Sequence, residues 1–491
     1  MQPTSPRPRR FRRLVRAFAA LAAFAVADAR ALCPHEVLVL ANESSVDSVL
    51  VARTFMGLYG IPEQNLVRVD VPADIVDPAG GITPERFTEA IWEPACRAVE
   101  ERGLGPQILA WAYSTDFPSR VTTDPALSLT GLTFLRNRLP DPMDFLVKGA
   151  GYESPLFAGP ERAAPAADPS TRTFDRLRAS LLDDMPLPAM MLGWTGARGN
   201  TTDEVLDALT RGRKGDGARP SEGAFLFATN KNVRSTTRQW EYPAVASALE
   251  SLGSSVSIVP SFPAEGLAAG LMTGREKLPA SALRFTPGAY ADHLTSNACV
   301  FEDAGQTKAC EWIRRGATAS AGTVTEPFAY WQKFPSATLF LHQRRGVTMI
   351  EAVYLATRCP LQLLPIGDPL ASPWAERPAP RIEGAGDGPL AGDVTLRAVC
   401  DGGDSPMRFD WFVDGRHAGL GSELRLDTAE LPDGRHKIRL VARPRGDLRV
   451  PGHADLRFAV DNASAPDAGA GASPEADAAP AAESVAAPAM P

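Results

Sequence analysis

The stretch PGAYADHLTSNACVF (287–301) sets an acid, an imidazole and a thiol within eight positions: Asp292, His293 and Cys299. These are the residue types of a cysteine hydrolase. There an imidazole takes a proton from a nucleophile and a carboxylate orients the ring. His293 suits the base because an imidazole titrates near working pH. Asp116 or Asp292 is its expected partner. The competing structural reading has Asp292 capping the next segment and His293 meeting a backbone carbonyl. Cys299 lies six residues past His293 in a loop, with Cys310 close behind. In an oxidising compartment a Cys299–Cys310 disulfide, or two inert buried thiols, accounts for both.

The elements that would position these residues alternate between apolar runs and helical periods over residues 34–375. EVLVLAN (36–42), LVRVDVP (66–72), QILAWAYST (107–115), AMMLGWTG (189–196) and GAFLFATN (223–230) are expected strands. GLAAGLMTG (266–274), PGAYAD (287–292) and GATASAGTV (316–324) complete the series. Helices are expected at 45–60, at 83–103 behind Thr83-Pro84, at 201–212 behind the capping box Thr201…Glu204, and at 243–253. Uninterrupted apolar strands separated by helices mean a mainly parallel sheet covered on both faces, an α/β fold.

Ligands of such sheets bind beyond the carboxyl ends of the strands. The residues expected to line that crevice are Ser114, Thr115, Asp116 and Arg120, then Asn230, Thr273, Asp292, His293, Ser296, Glu326 and Asp368. Their spacing is not that of a metal site, no G-x-x-x-x-G-K-[ST] phosphate cradle is present, and no metal or cofactor is expected. Neither Ser114 nor Thr115 sits in a G-x-S-x-G elbow.

Residues 116–188 are rich in Pro, Asp, Arg and Gly, and are expected as a long loop insertion. Past GDPLASPWAERPAPR the texture changes to short alternating strands with Asp-Gly turns, so 378–462 is expected as a small all-β sandwich. Met407, Phe409, Trp411 and Val413 would face one way in it. Residues 463–491 are of low complexity and lack aromatics, so they are expected to stay disordered.

RPRRFRRLVR, then AFAALAAFAVA, then ADARA form an expected export leader over residues 1–31, with cleavage after Ala29 or Ala31. The apolar run is too short to cross a bilayer. The destination is periplasm, cell surface or medium. The formal charge is −7. Removing the seven Arg and one Asp of residues 1–31 takes it to −13 (−7 minus +6). A chain this acidic argues against nucleic acid and anionic membranes. The expected partner is a protein, peptide or saccharide.

SVDSVLVARTFMGLYGIPEQNLVRVDVP, PGAYADHLTS, CEWIRRGATASAGTVTEPFAYWQKFPS and LQLLPIGDPLASPW resemble an uncharacterised family of exported bacterial proteins of unknown function, over roughly residues 34–375. The later half of that family is similar to the gingipain-type cysteine peptidases, which implies a caspase-like fold. In those enzymes one strand ends in Gly-His-Gly and a later one in the catalytic Cys. RRGATASAG (314–322) fits the later GA…G strand and IGDPL (366–370) the terminal GDP turn of those enzymes. The two decisive positions depart from the pattern: Met272-Thr273-Gly274 stands for the histidine motif and Asp292-His293 for the cysteine. The resemblance therefore implies a crevice without the peptidase dyad. FDWFVDG…LPDGRHKIRLVA resembles bacterial immunoglobulin-like modules, which implies a spacer or weak binder. Two readings follow: a hydrolase using Asp116, Asp292 and His293, or a non-catalytic envelope or surface binding protein.

Overall fold

The computed structural model describes residues 31–160, 186–386, 388–400, 407–445 and 450–462. The expected leader (Ala31 aside) and tail, and residues 161–185 of the expected insertion, lie outside the described residues.

The first domain carries β1 (Val37–Asn42), β2 (Leu66–Val69), β3 (Gly81–Ile82), β4 (Ala110–Tyr113), β5 (Arg120–Val121), β6 (Leu127–Ser128) and β7 (Ala189–Met191). β8 (Ala224–Ala228), β9 (Val256–Val259), β10 (Glu265–Gly274), β11 (Ala282–Leu294), β12 (Ala319–Thr323) and β13 (Leu363–Gly367) follow. Ten of them form one sheet in the order β2-β1-β4-β7-β13-β12-β11-β10-β8-β9, and β3, β5 and β6 form a small separate one. The large sheet is mainly parallel, as the apolar runs require: all six residues of β1 and all four of β4 are buried.

The helix Val46–Tyr59 starts where Ser45 accepts a bond from Ser48 N–H and stops at Gly60, whose φ of +64 suits a residue without Cβ. The capping box at Thr201 and Glu204 opens the helix Thr202–Gly215. The expected helix over 83–103 is interrupted by a π-turn at Thr88–Trp92. Pro94 follows it and has no N–H to close the regular ladder.

Two features differ from expectation. Residues 116–160 are built structure rather than open loop. Ser128 caps the short helix Leu129–Phe134, whose residues are all buried, and the Ser128 hydroxyl donates to Leu363 O (2.7 Å). Second, β13 pairs antiparallel with β12, Leu363 opposite Thr323 and Gly367 opposite Ala319, while β12 is parallel to β11. β13 therefore ends at the rim where β12 begins, although its single bridge to β7, Ile366 to Met191, is parallel.

The second domain has β14 (Pro380–Glu383), β15 (Asp393–Cys400), β16 (Met407–Val413), β17 (Arg416–Leu420), β18 (Glu423–Asp427), β19 (Gly434–Pro444) and β20 (Gly452–Val460). They make two antiparallel sheets, β14-β15-β18 and β17-β16-β19-β20. Trp411 and Val413 join Leu396, Leu424, Ile438 and Leu440 in the core between them, with Phe409 partly buried against it. Phe412 faces the other way and packs on Cys33 and Val441.

That outward face seats the module on the first domain. Arg443 of β19 is buried and donates to Asp410 Oδ2 (2.5 Å), Glu36 Oε1 (2.8 Å) and Ala31 O (2.6 Å). Arg439 donates to both oxygens of Asp455 (2.6 and 2.7 Å) and to Gly60 O (3.3 Å). Among the described residues no helix is long and apolar enough to cross a membrane.

Candidate functional site

In the strand order, β1 sends its connection outward to β2, and the chain then returns to β4 on the other side. β8 does the same with β9 and β10. Each reversal opens a crevice at the carboxyl ends, where ligands of α/β sheets bind. The sheet thus has two switch points, and the expected site residues divide between them.

The β8/β10 switch point, together with the end of β11, is filled by protein. Asp292 of β11 receives both guanidinium nitrogens of Arg238: Nη1 at 2.9 Å on Oδ2, and Nη2 on Oδ1. Tyr290 Oη donates to the same Oδ2 (2.9 Å). Arg238 and Asp292 are 1% and 2% exposed. Arg238 also donates to Pro335 O (2.8 Å) and Thr273 O (3.1 Å). A bidentate guanidinium in these surroundings holds the carboxylate as a strut.

His293 is 1% exposed and both its nitrogens are taken. Trp312 Nε1 donates to Nδ1 (2.9 Å), and Nε2 lies 3.0 Å from Thr307 O. An indole N–H can only donate and a carbonyl can only accept. The ring is therefore neutral with its proton on Nε2. Burial holds its pKa down to about 4. The expectation of a base at a crevice is corrected: no nitrogen is left to take a proton from a substrate. Asp116 does not reach His293, and Asp292 is bound to Arg238 rather than to the ring.

Thr273 is buried and donates to Ala228 O (3.0 Å). Asn230 donates to Gly274 O (2.9 Å). The helix Val233–Thr236 lies directly on the end of β10, so a Cβ on Gly274 would come 2.2 Å from Arg234 C. Arg234 Nε donates to Thr295 Oγ1 (3.0 Å) across the remaining gap. Ser296 offers its carbonyl to Thr323 Oγ1 (2.8 Å). Glu326 is exposed and turns back on Phe328 N–H of its own loop (2.8 Å).

Cys299 and Cys310 are not bridged to each other. The Cys299 sulfur faces Leu364 O (3.7 Å) and the Cys310 sulfur Trp194 O (3.8 Å). Burial pushes the Cys299 thiol well above its ordinary range and Cys310 up to about 12. Neither is a nucleophile, since the thiolate is the reactive form. Asp368 leaves the crevice altogether because β13 runs the other way. It accepts from Tyr59 Oη (2.7 Å) at the end of the helix Val46–Tyr59, and burial raises its carboxyl to about 7.

The β1/β4 switch point is different. Asp116 follows β4 with a φ of +59, a left-handed conformation that Asp tolerates better than most residues. Its carboxylate accepts from Ser45 Oγ and from Thr195 Oγ1 (2.5 Å), and its carbonyl from Asn42 Nδ2 (2.8 Å). Ser44 donates to Asp70 beside it. Ser114 is buried and donates to Ser48 O (2.6 Å), whereas the buried Thr115 hydroxyl has no partner among the described residues. Arg120 reaches Val324 O (3.3 Å). Ser44 and Asp70 are exposed, and Ser45, Asp116 and Thr195 are partly so. This rim offers carboxylates and hydroxyls to solvent. Ser45 and Asn42 escaped the sequence reading because it credited Ser45 only with starting a helix. The turn of β1 into that helix is the signal that placed them beside Asp116.

Among the described residues no group of three or more His, Cys, Asp and Glu gathers to hold a metal ion. No protein-family model matches the chain, and no curated protein matches it. Some solved structures show faint likeness. The PKD1 domain of Vibrio anguillarum Epp matches 18% of this chain and 98% of its own, at 13% identity and a TM-score of 0.15. The fibronectin(III)-like modules of Clostridium thermocellum CbhA match 23% and 58%, at 15% identity and a TM-score of 0.16. The spore cortex lytic enzyme SleM of Clostridium perfringens matches 58% and 83%, at 13% identity and a TM-score of 0.18. Likenesses this faint assign neither fold family nor function to this chain.

Proposed function

We propose that this chain is an exported, non-catalytic binding protein: a caspase/gingipain-like α/β domain that has lost peptidase chemistry, carrying an immunoglobulin-like module. The observation that supports it most is the Arg238–Asp292 pair. It stands where the resemblance puts the peptidase nucleophile, and it ties that strand end to the helical segment beside it. The histidine next to it is satisfied on both nitrogens. The rim around Asp116, at the other switch point, is the surface this reading gives to a peptide or saccharide. Its carboxylates and hydroxyls suit a ligand rich in hydrogen-bonding groups.

The test is turnover of a panel of peptides and esters by the purified chain, run beside labelling with a thiol-directed activity probe. The reading expects no turnover above the uncatalysed rate and no label on Cys299. Turnover that His293→Ala abolishes with the melting temperature unchanged, or label on Cys299, would return the chain to the hydrolases.

A further inference from the structure

A cleft of about 470 Å³ lies between the two domains, at the rim where β1 and β4 begin, opposite Asp116. Arg102 stands on its α/β wall, and Arg408, Arg416 and His417 stand on its β wall. Leu420, 55% exposed, supplies the apolar surface, with the buried Phe412 behind the wall.

The charges in the cleft do not balance. Arg102 is fixed by two backbone carbonyls, Gln64 O (2.7 Å) and Leu66 O (2.6 Å), which leave its charge unneutralised. Neither Arg102 nor Arg416 pairs with a carboxylate among the described residues. Glu36 also lines the cleft, but its carboxylate accepts from Arg443 (2.8 Å) and Cys33 N–H (2.8 Å). Asp410 gives one oxygen to Arg443, and its other lies 3.6 Å from Arg408 and 3.9 Å from His417 Nε2. The excess is positive, in a chain whose formal charge is −7. Such a pocket concentrates anions against the field of the whole molecule.

Its walls are held in register. Gln107 donates to His35 O (2.7 Å) on one side and Gly415 O (3.0 Å) on the other, and accepts from His417 N–H (3.1 Å). Little ordering remains for a ligand to impose. Domain interfaces are a preferred place for small-molecule sites, and this volume lies in their usual range.

We propose that this interdomain cleft binds a small organic carboxylate, with Arg102 and Arg416 on the acid group and Leu420 against its body. The proposal stands whether or not the α/β domain proves catalytic, because the site is on the opposite rim.

The test is calorimetric titration of the full chain with benzoate and with glucuronate, using benzamide and glucose as neutral controls. The acid that binds distinguishes a free aromatic acid from an acidic sugar. At least one should bind saturably, more weakly as salt rises, and at least about tenfold more weakly to Arg416→Ala. Arg416 is exposed, so that variant should fold normally; Arg102→Gln, checked for its melting temperature, is the second. Three results would overturn the proposal: no saturable binding of either acid, equal binding of a neutral control, or unchanged affinity in both folded variants.

Discussion

Replacing Arg238 with Ala should lower the unfolding free energy by about 3–5 kcal/mol, the cost of leaving one member of a buried ion pair alone. Asp292 would be left at 2% exposure with only the Tyr290 hydroxyl to support it. Pro335 O and Thr273 O would each lose a donor. The double variant Arg238→Met/Asp292→Leu should recover most of the loss, because it removes both charges and fills the space. Denaturant unfolding of the native protein, both single variants and the double variant measures the coupling. A cost below about 1 kcal/mol for Arg238→Ala would put the pair in the class of solvated surface bridges, and the crevice would then be open.

Arg443→Ala should cost about as much, for a different reason. Arg443 belongs to the β module, yet its donors reach Glu36 and Ala31 at the start of the α/β domain as well as Asp410 of its own sheet. Removing it leaves Glu36 and Asp410, both buried, with one counter-charge fewer. Burial of Phe412 against Cys33, the Arg439–Gly60 bond and the Gln107 contacts then hold the interface without a buried ion pair across it. The expected result in scanning calorimetry is a transition that splits in two, as the module melts independently of the sheet. A single cooperative transition shifted by less than a few degrees would mean that the interface does not depend on Arg443.

Much of the fold was legible because period and burial agree. VLVLA is apolar throughout and becomes a buried strand one in from the sheet edge, and DVTLRAVC and MRFDWFV alternate and become two-faced ones. The small edge strand VSIV escaped because two of its four residues are exposed and the other two only half-buried. Direction was not legible. LLPIG has the composition of a parallel strand, and only its pairing with Ala319–Thr323 shows that it runs backwards and carries Asp368 away from the crevice.

The site was legible in its location and not in its chemistry. Sequence put Asp292 and His293 at a strand end, which is where they are. What each one meets came from far away in the chain: Arg238 is 54 residues upstream and Trp312 is 19 residues downstream of its partner. No local pattern marks either residue. Cys299 and Cys310 bracket a short loop, but their sulfurs turn to different carbonyls, Leu364 O and Trp194 O.

The central claim is that His293 is a structural histidine, and its own titration tests that most directly. Nitrogen-15 NMR of histidine-labelled protein, assigned with His293→Gln, should show the Nε2–H tautomer with a midpoint near 4. Because that midpoint lies below the ordinary 6.5, the folded state binds fewer protons than the unfolded chain between the two. His293 should therefore contribute its full stability above pH 6.5 and lose it as the pH falls toward 4. A midpoint between 6 and 7, or a proton on Nδ1, would contradict the account and make His293 available as a base.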